Sequence, residues 1–176
     1  MAKKRKVAVI MGSDSDLPVM SEATKILESY KIPFEVKILS AHRSPDDTAR
    51  FSKNARSKGV KIIIAGAGGA AHLAGVLASH TTLPVIGVPM ETKELKGIDS
   101  LLSTVQMPSG VPVATMAIGK AGAKNAAILA LEILSLGDKA IEKKLAAFKK
   151  ELVEAIRRKN PAPSMQGVGF GKKALR

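Results

Sequence analysis

The 176-residue sequence contains no cysteine and no tryptophan, one tyrosine and four phenylalanines. Without cysteine it can form no disulfide, no thiolate nucleophile and no thiolate-held metal site. That composition suits a reducing compartment, and a cytoplasmic protein is expected. So few aromatic rings leave little to stack on a flavin. Long hydrophobic runs are also missing, since nothing approaches the roughly 20 apolar residues of a membrane span. The start, MAKKRKVAVIMGSDSD, is basic, but its apolar run of five residues is too short for a secretory signal core, which takes about 7–15. Acidic residues are scarce as well: 15 Asp and Glu face 28 Lys and Arg, a net charge of +13.

Such an excess of positive charge invites a nucleic-acid reading, but its distribution argues against one. Residues 3–6, 138–159 and 172–176 hold 15 of the Lys and Arg against 4 acids, and residues 7–137 are close to neutral. The lysine-rich stretch DKAIEKKLAAFKKELVEAIRRKN reads as a helix with a solvated face. Ile141, Leu145, Phe148, Leu152 and Ile156 form its packing stripe. No nucleic-acid or membrane partner is expected. An RNA-binding protein is the alternative, and it would lose binding on removal of residues 138–176.

What the chain does have is alternation. The runs KVAVIM, PFEVKIL, VKIIIAG, PVIGVPM and VPVATMAI read as five strands, with helices at about 17–30, 45–58, 70–80, 98–105, 120–136 and 138–159. Parallel strands need crossover connections, and the nearly unbroken apolar runs suit a sheet covered on both faces. The expected fold is α/β: a three-layer sandwich with a doubly wound, five-stranded parallel sheet of flavodoxin-like or Rossmann-like type. Residues 1–159 form a single domain in this reading, and 160–176, rich in Pro and Gly, an irregular tail.

Ligands of such sheets bind beyond the carboxyl ends of the strands, where helix N-termini offer free N–H groups. Three loops lie there: MGSDSDLP, SAHRSP and GAGGAAHLAG. In the first, Gly12 admits close backbone approach, Ser13 and Ser15 can donate to phosphate, and Asp14 or Asp16 can accept from a sugar diol; helix capping alone would also explain them. In the second, Ser44 reads as an N-cap, Pro45 as the first helical residue, and Asp46 and Asp47 as acids suited to the positive helix end. Ser40, His42 and Arg43 are left at the ligand edge. Arg43 beside two serine-bearing loops makes a phosphate clamp, with an ordinary surface arginine as the alternative. In the third, Gly66, Gly68 and Ala71 match a dinucleotide fingerprint formally. The match falls in the third βα unit, however, and Glu91 is displaced from a ribose position, so small residues approaching a flat ring are the simpler reading. His72 sits near the helix start, and His80 at its end can satisfy terminal carbonyls.

These loops, followed by LPVIGVP and DSLLSTVQMPSGVPVATMAIGKAGAKNAA in the same order, closely resemble those of the phosphoribosylaminoimidazole carboxylase family over residues 6–135. Within it they resemble the branch that isomerises N5-carboxyaminoimidazole ribonucleotide to 4-carboxyaminoimidazole ribonucleotide in purine (IMP) biosynthesis. The resemblance implies that Ser13, Asp16 and Arg43 bind the ribonucleotide and that Ser15 and Ser40 help with its phosphate. It further implies that Gly68, Ala71, His72 and Leu73 line the imidazole and carboxylate pocket, and that His42 transfers the proton. It implies a homo-octamer and a reaction that needs no cofactor or metal. The pattern departs from the family at Ala74, where Pro is expected, and at Ala114, where Gly is expected.

The implied chemistry gives the loop histidine a task. Loss of carbon dioxide from the carbamate leaves an electron-rich aminoimidazole whose ring carbon four can recapture it. The nitrogen gains a proton and the carbon surrenders one, so a single group that donates and then accepts suffices. An imidazole with an unperturbed pKa near 6.5 suits both directions. The alternatives are a carboxylase using free carbon dioxide and aminoimidazole ribonucleotide, and, more distantly, a flavodoxin-like FMN-binding redox protein.

Overall fold

In the computed structural model, which describes residues 6–160, five strands form one parallel sheet in the order β2-β1-β3-β4-β5. They are β1 (Val7–Met11), β2 (Phe34–Ile38), β3 (Ile62–Ala67), β4 (Val85–Pro89) and β5 (Ala114–Thr115). The helices are α1 (Leu17–Ser29), α2 (Pro45–Ala55), α3 (Leu73–Ser79), α4 (Ile98–Val105), α5 (Gly119–Ser135) and α6 (Lys139–Arg157). The expected α/β, doubly wound three-layer architecture is what the chain adopts. Among the described residues no helix is long and apolar enough to cross a membrane. The expectation of an irregular tail falls almost entirely on residues 161–176, outside the described range.

The period-two alternation of strand side chains divides the core into two halves. Val7, Val9, Met11, Ile62, Ile64, Ile86 and Val88 point to one face and pack against α1, α5 and the start of α6. Ala8, Ile10, Ile63, Ala65 and Val85 point to the other, against Phe51 and Ala55 of α2 and Leu73, Ala74 and Leu77 of α3. Burial on both faces is why β1, β3 and β4 read as unbroken apolar runs.

The edges depart from expectation. In β2 only Glu35 is buried, and Val36 and Ile38 are exposed. The run VPVATMAI yields only the two-residue β5, paired with Ile86 and Gly87. Pro112 has no N–H to give a ladder, and an edge strand has one neighbour. The apolar stripe of α6 is packed for only part of its length. Ile141 and Leu145 are buried, whereas every residue from Glu151 to Asn160 is exposed.

The register brings the functional edge together. Met11 lies level with Ile38 on one side and Gly66 on the other, and Gly66 is level with Val88. Hydrogen bonds continue past the strand ends: Leu39 N–H to Met11 O (2.9 Å), Gly12 N–H to Gly66 O (3.1 Å) and Met90 N–H to Ala67 O (2.9 Å). Four loops therefore leave the sheet side by side.

Candidate active site

The first loop is a short 3-10 turn, Asp14–Asp16, closed by a reciprocal capping box. The Ser13 hydroxyl accepts from Ser15 N–H (3.3 Å), and Asp16 Oδ2 accepts from Ser13 N–H (3.2 Å). Capping and a place on the cleft thus coexist in GSDSD, because the same residues that start the helix also line the cleft.

The second loop is braced from within. Ser44 occupies the N-cap position of α2 but makes no side-chain bond to that helix. Its hydroxyl instead accepts from Ser40 N–H (3.0 Å) and donates to Ser40 O (3.2 Å), while the buried Thr48 hydroxyl also donates to Ser40 O (3.2 Å). The Ser40 hydroxyl in turn accepts from Arg43 N–H (3.1 Å). Arg43 reaches back across the strand ends, its Nη2 donating to Gly12 O at 2.9 Å. The guanidinium therefore sits between the two serine-bearing loops.

The third loop turns at Gly69, whose φ of +65° favours glycine. Two serines of α4 anchor it: Ser100 Oγ accepts from Gly69 N–H (2.9 Å), and Ser103 Oγ donates to Gly69 O (3.3 Å). His72 begins α3, and its ring meets that of His42. At the other end, His80 closes the helix through its backbone N–H, bonded to Leu77 O at 3.2 Å.

Together the loops enclose a cleft of about 430 Å³. Ser13, Ser15, Asp16, Ser40, His42, Arg43, Gly68, His72 and Leu73 all line it. Of the expected site residues, only Ala71 does not. It is 1% exposed and packs into the core under α3, and its neighbour Ala70 takes the cleft position. Met90 and Glu91, which follow β4, were missed by the sequence reading, although the rule that ligands bind beyond strand ends applies to them equally. Ala74 and Ala114, the two departures from the family pattern, stay off the cleft: Ala74 is buried against the sheet and Ala114 is exposed on β5.

Burial raises the Asp16 carboxyl above the usual aspartate range, opposed by the N–H groups of Ser13 and Gly12 and the Ser15 hydroxyl. A raised folded-state value means that the folded chain holds this proton more tightly than the unfolded one. Its stabilising effect is complete below the unfolded value of about 3.9 and is lost as pH rises through the folded value. At neutral pH the half-buried carboxylate is therefore a cost to folding. Asp16→Asn keeps an oxygen for Ser13 N–H and removes the charge. Its melting temperature relative to the parent is expected to rise between pH 4 and pH 7, as thermal scans across that range will show; a relative fall would contradict the sign.

The AIR carboxylase family model matches residues 6–155. An N5-carboxyaminoimidazole ribonucleotide mutase of Pyrococcus horikoshii is 54% identical over 90% of this chain and 88% of its own. The enzyme of the same name from Bacillus subtilis is 58% identical over 79% and 86% respectively. The crystal structure of Treponema denticola PurE superposes with a TM-score of 0.79 at 27% identity, covering 86% of this chain and 94% of that one. Sequence, architecture and the order of the cleft loops agree, and the chain belongs to the AIR carboxylase family.

Proposed function

We propose that this chain is an isomerase of purine biosynthesis, converting N5-carboxyaminoimidazole ribonucleotide to 4-carboxyaminoimidazole ribonucleotide on the route to IMP. The observation that carries the reading is the convergence on one cleft of a proton-exchanging imidazole, His42, with a guanidinium, Arg43, held between two serine-bearing loops. Arg43 takes the phosphate with help from Ser13, Ser15 and Ser40, where bidentate guanidinium geometry suits phosphate oxygens. Asp16 accepts from the ribose hydroxyls. Gly68, His72 and Leu73 line the space for imidazole and carboxylate, with Ala71 packed behind them.

The reaction then needs only positioning and one mobile proton. The carbamate C–N bond breaks, carbon dioxide departs, and the exocyclic nitrogen takes a proton from His42. Ring carbon four attacks the retained carbon dioxide and returns its own proton to His42, which restores aromaticity. The proton count on the enzyme is unchanged after a turnover, so nothing has to be regenerated by a cofactor or metal. A turnover in buffer containing labelled bicarbonate tests this. Unlabelled carbamate ribonucleotide should yield product with little label in the first turnovers. Rapid labelling, with efficient use of aminoimidazole ribonucleotide, would instead indicate the carboxylase that captures free carbon dioxide.

The protein acts in the cytoplasm as a homo-octamer in this reading. Leu95, Ile98, Leu102 and Val105 on and before α4 are each about half exposed, as is Leu17 at the start of α1. Burial of these side chains between subunits would take them out of water. Light scattering at micromolar concentration should return a mass several times the 18.5 kDa of the chain. A monomer would rule out the assembly.

A further inference from the structure

His42 and His72 come from different loops, yet their rings meet edge-on. Nε2 of His42 lies 2.9 Å from Nδ1 of His72, with ring centroids 5.0 Å apart and planes at 85°. Two bare nitrogen lone pairs would repel at that separation, so one proton lies between them. We propose that His72 is a positioning residue: its Nδ1 accepts from Nε2–H of His42, which leaves Nδ1 of His42 as the atom that exchanges the proton with substrate. This inference rests on the isomerase reading.

The direction of the bond follows from the proton cycle. During turnover His42 alternates between imidazolium and neutral imidazole. As imidazolium both of its ring nitrogens donate, so the partner nitrogen must be bare, with the proton of His72 on its Nε2. If the same bond persists when His42 is neutral, Nε2 keeps its proton and Nδ1 becomes the bare nitrogen. The proton given to the exocyclic nitrogen then leaves Nδ1, and the proton taken from ring carbon four returns to it. The opposite polarity would require both rings to change tautomer twice per turnover.

The surroundings supply the rigidity such a role needs. The backbone of His72 is fixed at φ −78°, ψ −10°, with its N–H on Ala70 O (2.8 Å) and its carbonyl accepting from Val76 N–H (2.9 Å). Its side chain makes no capping bond to α3, and among the described residues its ring bonds only to His42. Gly69, three residues before it, is held by Ser100 and Ser103. A brace therefore runs from α4 through the third loop to His72 and on to His42. His42 itself sits in an exposed turn before α2, where χ1 and χ2 would be free without an acceptor. Arg43, Asp16 and Glu91 line the same cleft, but none of them hydrogen-bonds to either ring.

Two measurements test the proposal. In steady-state assays with the carbamate ribonucleotide, His72→Ala should lower kcat about tenfold or more while KM changes less than about threefold. His72→Asn, whose amide oxygen can stand near the place of Nδ1, should recover most of that loss. His72→Ala should cost nothing further in a chain that already carries His42→Asn. A raised KM with unchanged kcat, no recovery by Asn, or losses that add would make His72 a wall of the cleft and overturn the proposal. Nitrogen-15 spectra of histidine-labelled protein report on the pair without turnover, and with three histidines in the chain they can be assigned by substitution. The expected result is a proton on Nε2 of His42 coupled across the bond to a bare Nδ1 of His72. A proton on Nδ1 of His72, or no coupling, overturns the proposal. Inactivity of the parent protein with that coupling in place overturns the isomerase reading instead.

Discussion

Replacing His42 with Asn is expected to reduce kcat by at least about 100-fold, the lower range for losing a general acid–base group, while leaving the fold and ribonucleotide affinity nearly intact. The reason lies in where the residue stands. His42 is exposed, lies in the turn before α2, and contributes nothing to either half of the core. Among the described residues its side chain bonds only to His72, another exposed side chain. The loop is held instead by Ser44 and Thr48 on Ser40, and the Arg43 guanidinium by Gly12 O. Asn removes the titrating ring and leaves all of these in place. Steady-state kinetics alongside a binding titration and a thermal scan will check it. Retained turnover would remove His42 from the reaction, and lost affinity equal to the lost rate would make it a binding group.

The sheet was legible in the sequence in its centre and less so at its edges, for one physical reason. Strands β1, β3 and β4 are covered on both faces, so every side chain is selected for burial and the run is continuous. Strand β2 has one neighbour and an open face, and its FEVKI is a mixed run. In VPVATMAI the apolar residues overstate the strand, because pairing depends on backbone N–H groups that Pro112 lacks. The stripe of α6 shows a related limit. Helical spacing reports which residues share a face but not how far a neighbouring element extends along it, and Leu152 and Ile156 are left exposed.

The cleft was legible loop by loop, because strand ends, N-cap residues and glycine turns are local signals. What could not be read was the pairing across loops. Nothing local distinguishes Ala70 from Ala71, since two adjacent alanines carry no directional signal; the turn at Gly69 decides which faces the cleft. The serines that hold Gly69 come from α4, about thirty residues away, and look like ordinary helix-surface residues in DSLLSTV. The meeting of His42 with His72 is of the same kind. Each ring has its own local explanation, and only the parallel register that sets the two strand ends level brings them to bonding distance.

Gly122→Ala is expected to destabilise the fold by at least about 2 kcal/mol, although Ala is ordinarily the better helix former by about 1 kcal/mol. Gly122 lies in the first turn of α5 and is buried, where the chain leaving β5 folds back against the helix. A Cβ built there would fall on the carbonyl oxygen of Ala117 and lie 2.7 Å from its carbonyl carbon. Both are backbone atoms, so no rotamer change relieves the clash; either residues 117–119 or the start of α5 must move. That helix carries Ala123, Ala126, Ala127, Ala130 and Leu131 into the core against α1, and a shift at its start disturbs packing built on small residues at close approach. The overpacking cost therefore outweighs the propensity gain. For a chain of this size the loss corresponds to a melting temperature lower by roughly 4–8 °C. Gly137→Ala is the control: an added Cβ there meets none of the described residues within 4 Å, and the backbone is not in the left-handed region. It should hold or slightly raise the melting temperature. Equal effects at the two glycines would show that the approach of Ala117 to α5 does not constrain the fold.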